Sequence, residues 1–118
     1  MIDIDKEDLI KANRAVNETF GTSAYWVKEE LIDSALSSYY YYEEELEQIC
    51  SVFRGLAKNH AFSNGNKRTA GLFLSQYLLD LGYKISDESL VDIVLDVAKS
   101  NYEVEEIAEK VAKLCIQQ

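Results

Sequence analysis

The sequence predicts an all-α fold: a compact bundle of about six helices in one domain over residues 1–118, with a buried central helix after a polar loop. Three observations lead there. Proline is absent and only five of the 118 residues are glycine, too few turn formers for a strand-rich sandwich. Apolar residues recur at helical spacing in one segment after another. They make up 47% of the chain, enough for a core, and 118 residues are too few for two domains.

Residues 5–19 form a first helix with Leu9, Ile10, Ala12, Ala15 and Val16 on one face, ending near Phe20-Gly21. Thr22 and Ser23 can cap the next element, and a second helix from about Lys28 to Ser37 carries Leu31, Ile32, Ala35 and Leu36. The run from Ser37 to Tyr42 has no steady period and is compatible with an extended segment. A third helix, about Glu43 to Asn59, shows the stripe Leu46, Ile49, Cys50, Phe53, Leu56 and Ala57, and its acidic start suits the helix dipole. Asn59 to Asn66 is polar, contains a glycine and reads as a loop. The fourth helix, about Lys67 to Leu81, is apolar nearly all round, which marks it as the buried one, and Gly82 stops it. Ser86, Asp87 and Glu88 open a fifth helix that ends near Ser100. Glu103 to about Ile116 makes a sixth, with Val104, Ile107, Ala108, Val111 and Leu114 facing inward.

Charge excludes some functions and localises another. A net charge of −9 repels phosphate backbones and anionic lipid, which argues against direct nucleic-acid or membrane binding. The acids are unevenly spread. Between Gln48 and Leu79 there is no Asp or Glu, where an even spread of the 21 carboxylates would put about six. Arg54, Lys58, Lys67, Arg68 and the single histidine, His60, lie in that stretch. An acidic protein has kept one region fit for an anion. Cys50 and Cys115 sit far apart among apolar residues and read as reduced core thiols, with no metal spacing. With neither an apolar signal region nor an apolar run near the roughly 20 residues of a membrane span, the expectation is a soluble, cytoplasmic protein.

The chemistry concentrates in His60-Ala-Phe-Ser-Asn-Gly-Asn-Lys-Arg-Thr69. A loop containing Gly65 runs straight into a buried helix whose first amides lack internal partners, a ready anion site. Gly65 lets the backbone approach an anion closely, and Lys67 and Arg68 add charge, the arginine with a two-point grip on phosphate. Cations at a helix N-terminus are unfavourable unless an anion offsets them, so a merely solvated role explains this pair poorly. His60, across the same loop, can accept and return a proton near neutral pH. A phosphate cradle beside a base implies phosphoryl or nucleotidyl transfer.

These residues resemble the signature of the Fic/Doc superfamily, His-x-Phe-x-(Asp/Glu)-(Gly/Ala)-Asn-(Gly/Lys)-Arg, from His60 to Arg68. The Asp33-Ser-Ala-Leu36 stretch, the Leu56-to-His60 run and Thr69-Ala70 are similar to the shorter Doc (death-on-curing) branch. The resemblance implies that His60 is the general base acting on a target hydroxyl and that Phe62 anchors the loop. It implies that Ser63, Asn64, Gly65, Asn66, Lys67 and Arg68 bind the ATP phosphates. Lys67 stands where Doc proteins carry a lysine linked to transfer of the terminal phosphate. The second arginine of AMP-transferring Fic proteins would fall at Gly71 and is missing. The family's acidic Mg²⁺ ligand corresponds to Asn64, whose amide holds this hard ion more weakly, so the metal is weak or carried in by ATP, or activity is reduced. Tyr39, Tyr40, Tyr41 and Tyr42 stand where relatives have a flap that docks the target; packing of two of them on the bundle is the plainer account.

The implied function is a toxin-type, ATP-using transferase that phosphorylates a cytoplasmic protein, such as a translation factor. AMP transfer, or a degenerate module that only binds nucleotide or protein, stands as the alternative. The chain lacks the Ser/Thr-x-x-x-Glu-Gly/Asn string with which many Fic proteins block their own site. An active form therefore implies a separate antitoxin-like protein inhibitor, docking as a helix near the site.

Overall fold

The computed structural model describes residues 3–23 and 25–117. Six α-helices lie among them: α1 (Lys6–Thr19), α2 (Glu29–Ser38), α3 (Glu45–Lys58), α4 (Asn66–Asp80), α5 (Asp87–Lys99) and α6 (Val104–Leu114). The all-α expectation holds. No described helix is long and apolar enough to cross a membrane.

The core forms because α3 carries apolar residues on almost every side. Ile49, Cys50, Val52 and Phe53 are fully buried, and α3 packs against α2, α4, α5 and α6. Complete burial pushes the Cys50 thiol up to about 12, so it stays protonated and acts as a small hydrophobe. Gly55 lets α2 approach α3: a Cβ there would lie 2.5 Å from the Ala35 Cβ. On α4, Ala70, Phe73, Leu74 and Leu78 face the core, but Leu79 is 52% exposed. The helix is therefore buried over a broad face and not all round; α3 shares the central place.

Three further expectations are corrected. The buried face of α1 is Leu9, Asn13, Val16 and Asn17, not the alanine-rich face, because two asparagines find carbonyl partners inside. Tyr39–Tyr41 form a 3-10 turn continuing α2, not an extended segment. Tyr39 is buried against α3, and its hydroxyl is pushed up to about 12 by a hydrogen bond with Tyr40 and by burial. Tyr40 and Tyr41 are exposed, and the Tyr42 carbonyl accepts a bond from Gln48 Nε2 at 2.8 Å. Finally, α6 stops at Leu114: Cys115 turns extended, and β2 (Ile116–Gln117) pairs antiparallel with β1 (Tyr83–Lys84). Main-chain pairing there replaces the last helical turn that the apolar spacing suggested.

Candidate active site at the start of the fourth helix

Two helices deliver the site, and the loop between them is fixed from several directions. α3 ends at Lys58, Asn59 caps it by donating its N–H to the Gly55 carbonyl at 2.9 Å, and His60 follows with φ 52°. A left-handed residue after a helix is usually glycine, and a side chain there costs about 1 kcal/mol. His60 is the only described non-glycine residue with positive φ, and it is exposed on the rim of a hollow. Strain held at a polar, exposed position points to use rather than packing.

The next residues turn inward. Phe62 is fully buried in the core. Its backbone runs antiparallel to Val27, with Lys28 N–H donating to the Ala61 carbonyl at 2.7 Å and Ser63 N–H donating to the Trp26 carbonyl at 3.1 Å. The Asn66 amide brackets Phe62 from the other side, accepting its N–H at 3.0 Å and donating to its carbonyl at 2.8 Å. The Ser63 hydroxyl accepts the Tyr25 N–H at 2.7 Å. Asn64 donates from Nδ2 to the Ser23 carbonyl at 2.7 Å. The Asn64 carbonyl in turn accepts from Asn13 at 2.8 Å and Asn17 at 3.3 Å.

Gly65 then makes the turn into α4 with φ 78°. A Cβ at this position would stand 3.3 Å from Asn13, Asn17 and Val16 side-chain atoms, so both the angle and the space require glycine. No side chain caps α4, and its first internal bond runs from Thr69 N–H to the Gly65 carbonyl at 2.8 Å. The amides of Asn66, Lys67 and Arg68 have no described partner. Lys67 and Arg68 are exposed and pair with no carboxylate among the described residues, whose ion pairs are those of Lys6 with Glu29 and Asp33. Arg68 instead lies over the Phe20 ring, 3.8 Å from its centroid.

His60 and the residues from Ser63 to Arg68 line one hollow of about 910 Å³, whose other wall is Val16, Phe20, Leu72, Leu90 and Val94. The imidazole, the guanidinium and the free amides thus share a single space. That arrangement can bind an anion and move a proton beside it. The site residues do different jobs, however. The side chains of Asn64 and Asn66 hold the loop, and the Asn66 main-chain amide stays open to an anion. Tyr39–Tyr42 do not line this hollow; they sit at the start of α3, about 20 Å along the helix from His60.

A metal site does not fit these side chains. Asn64 has its amide donor committed and one neutral oxygen left, and no described group of three His, Cys, Asp or Glu is placed to hold an ion.

Sequence reading missed the residues that hold the loop from behind. Asn13 and Asn17 are 1% and 2% exposed. Asn13 donates to Thr69 Oγ1 at 3.0 Å, Asn17 donates to the Asn13 carbonyl at 3.1 Å, and Thr22 Oγ1 donates to Asn17 Oδ1 at 2.6 Å. The signal was present: two asparagines four apart share a face with Leu9 and Val16. The segment Tyr25–Lys28, paired with the loop, was missed as well. Residues 3–78, from just before α1 into the last turns of α4, match the model of the Fic/DOC family. No curated protein matches the chain.

Proposed function

The chain belongs to the Fic/Doc family, whose members transfer phosphate or nucleotide groups to proteins, and on that premise we propose that it is a Doc-like, toxin-type protein kinase. The observation that carries the proposal is the shared hollow, lined both by His60 and by the uncapped, cationic start of α4. ATP is the donor, with its phosphates on the amides of Asn66 to Arg68 and on the Lys67 and Arg68 side chains. His60 takes the proton of the target hydroxyl as its oxygen attacks the terminal phosphorus; the bond to the bridging oxygen breaks and ADP leaves. Among the described residues no three His, Cys, Asp or Glu are grouped to hold an ion, so magnesium enters with the nucleotide.

Two observations favour phosphate over AMP transfer. Lys67 stands beside Arg68 at the helix start. Gly71, where AMP-transferring relatives carry a second arginine, is buried, with Val94 and Leu90 atoms 3.4 to 3.9 Å from where a Cβ would stand. Gly71 also lines the hollow, so glycine there leaves the site without that second cation.

Target docking belongs to the segment beside the loop rather than to the tyrosine run. In the antiparallel pair the Val27 N–H and carbonyl face away from Phe62 and have no described partner, an open edge for an extended peptide. The target is a cytoplasmic protein, a translation factor by likeness to Doc, and a small antitoxin-like protein restrains the enzyme. Asn64 motivates the alternative of a degenerate module that binds without turnover.

Labelled ATP and cell extract test the reading. A protein band should take label from the γ position and none from the α position. His60→Ala should lower labelling by about 10²- to 10⁴-fold. Equal labelling by both forms overturns the assignment of the base; label from the α position favours AMP transfer.

A further inference from the structure

Phe20 is a large apolar residue left 54% exposed at the end of α1, and it lines the same hollow as His60. Its ring carries the Arg68 guanidinium 3.8 Å from the centroid. In a chain of net charge −9, an arginine on a rim meets carboxylates easily, yet Arg68 pairs with none among the described residues. The difference matters for an anion site. A carboxylate would occupy the guanidinium's N–H fork and neutralise its charge; an aromatic face attracts the cation without accepting from that fork.

The ring and the loop are also keyed to one another. The Phe20 N–H donates to the Val16 carbonyl, and just beyond it Thr22 bonds Asn17 twice, through N–H to the carbonyl at 2.9 Å and through its hydroxyl to Oδ1 at 2.6 Å. The same Asn17 donates from Nδ2 to the Asn64 carbonyl. One buried asparagine therefore sets both the turn that presents Phe20 and the loop that leads into Arg68.

We propose that Phe20 is a positioning residue: its ring holds the Arg68 guanidinium over the hollow with the N–H fork left open for the nucleotide's phosphates. This rests on the phosphate-binding reading of the site and adds a residue to it. Arginine has ample rotamer freedom, and an exposed guanidinium without the stack has to be ordered when the ligand binds.

The probe is inorganic tripolyphosphate, titrated by calorimetry into the whole protein, with the Arg68 Nε–H resonance followed by NMR. Wild type should bind and should show a ring-current shift at Arg68. Phe20→Leu, which keeps apolar bulk without a π face, should lose the shift and bind about three- to tenfold more weakly. Phe20→Trp should keep both. In an Arg68→Lys background, which retains charge without the planar fork, Phe20→Leu should have little further effect. Equal affinity of wild type and Phe20→Leu overturns the proposal, as does an equal loss in the lysine background. If wild type shows the ring-current shift yet binds no tripolyphosphate, the phosphate reading of the hollow falls, and this inference with it.

Discussion

The fourth and fifth helices pack against each other and begin in opposite ways. α5 starts with Ser86, whose hydroxyl accepts the Ser89 N–H at 3.1 Å, followed by Asp87 and Glu88 in the first turn. α4 starts with Gly65, takes no side-chain cap, and has Lys67 and Arg68 where α5 has acids. The remaining helices side with α5: α1 is capped by Asp5 and α6 by a Glu103–Glu106 capping box, and α2 and α3 carry glutamates in their first turns. A cap contributes about 1 kcal/mol and a well-placed end charge about 0.3–1 kcal/mol, so the start of α4 forgoes stability that its neighbours have. Such a start is stabilised when an anion arrives. That contrast is what the proposed phosphate site requires: a helix start that forgoes stability where an anion is to sit.

The largest test of the contrast reverses the charge. Arg68→Glu should make the start of α4 resemble that of α5. Affinity for ATP should fall at least about 100-fold, since a charge-assisted contact is replaced by repulsion. Thermal or denaturant unfolding should show a gain of about 0.3–1 kcal/mol. Opposite signs for binding and stability are the expected signature. If both fall together, the cations at this helix start serve folding, and the contrast with α5 dissolves.

A second, smaller effect separates the loop from its ligand. Asn13→Leu removes the donor to the buried Thr69 hydroxyl and to the Asn64 carbonyl, and takes from Asn17 its bond to Asn13 Oδ1. Denaturant titration should show a loss of about 2–4 kcal/mol. A loss under about 0.5 kcal/mol would mean that the asparagine network does not set the loop.

The two helix starts also differ in how far they can be read from sequence. That of α5 is local: Ser86, Asp87 and Glu88 announce a cap and a favourable first turn within four residues. The start of α4 is half local. Its chemistry is contiguous from His60 to Arg68, so the residues that share the hollow are recognisable together. The residues that fix them are not contiguous. Asn13 lies 51 residues before Asn64, and Phe20 meets Arg68 only because α1 ends beside α4. The same reasoning covers the other misreadings. The two-residue strands pair Tyr83 with Gln117, a long-range contact that no spacing rule encodes. Tyr39–Tyr41 became a turn because Tyr39 had a buried place against α3 to fill. Helices with a clear apolar period, such as α3 and α6, were legible because the period itself specifies what is buried.

The smallest effect bears on Asn64, where the loop departs from the signature's acidic residue. Asn64→Asp exchanges an amide donor for a carboxylate facing the Ser23 carbonyl, so the 2.7 Å bond is lost and an acceptor meets an acceptor. The new charge also lies next to the free amides of α4, which favours it by about 0.3–1 kcal/mol. These terms oppose each other and are similar in size, so global stability should change by less than about 1 kcal/mol. Local order should change more. Hydrogen exchange at the amides of Tyr25 and Lys28, held by Ser63 and Ala61, should speed up as the Ser23 tie is released. Magnesium titrated without nucleotide should bind the aspartate form more tightly than wild type. Unchanged exchange would mean that the Asn64 amide does not hold this segment. A carboxylate would then be tolerated at the start of α4, as it is at α5, and the amide would have no structural reason to stand there.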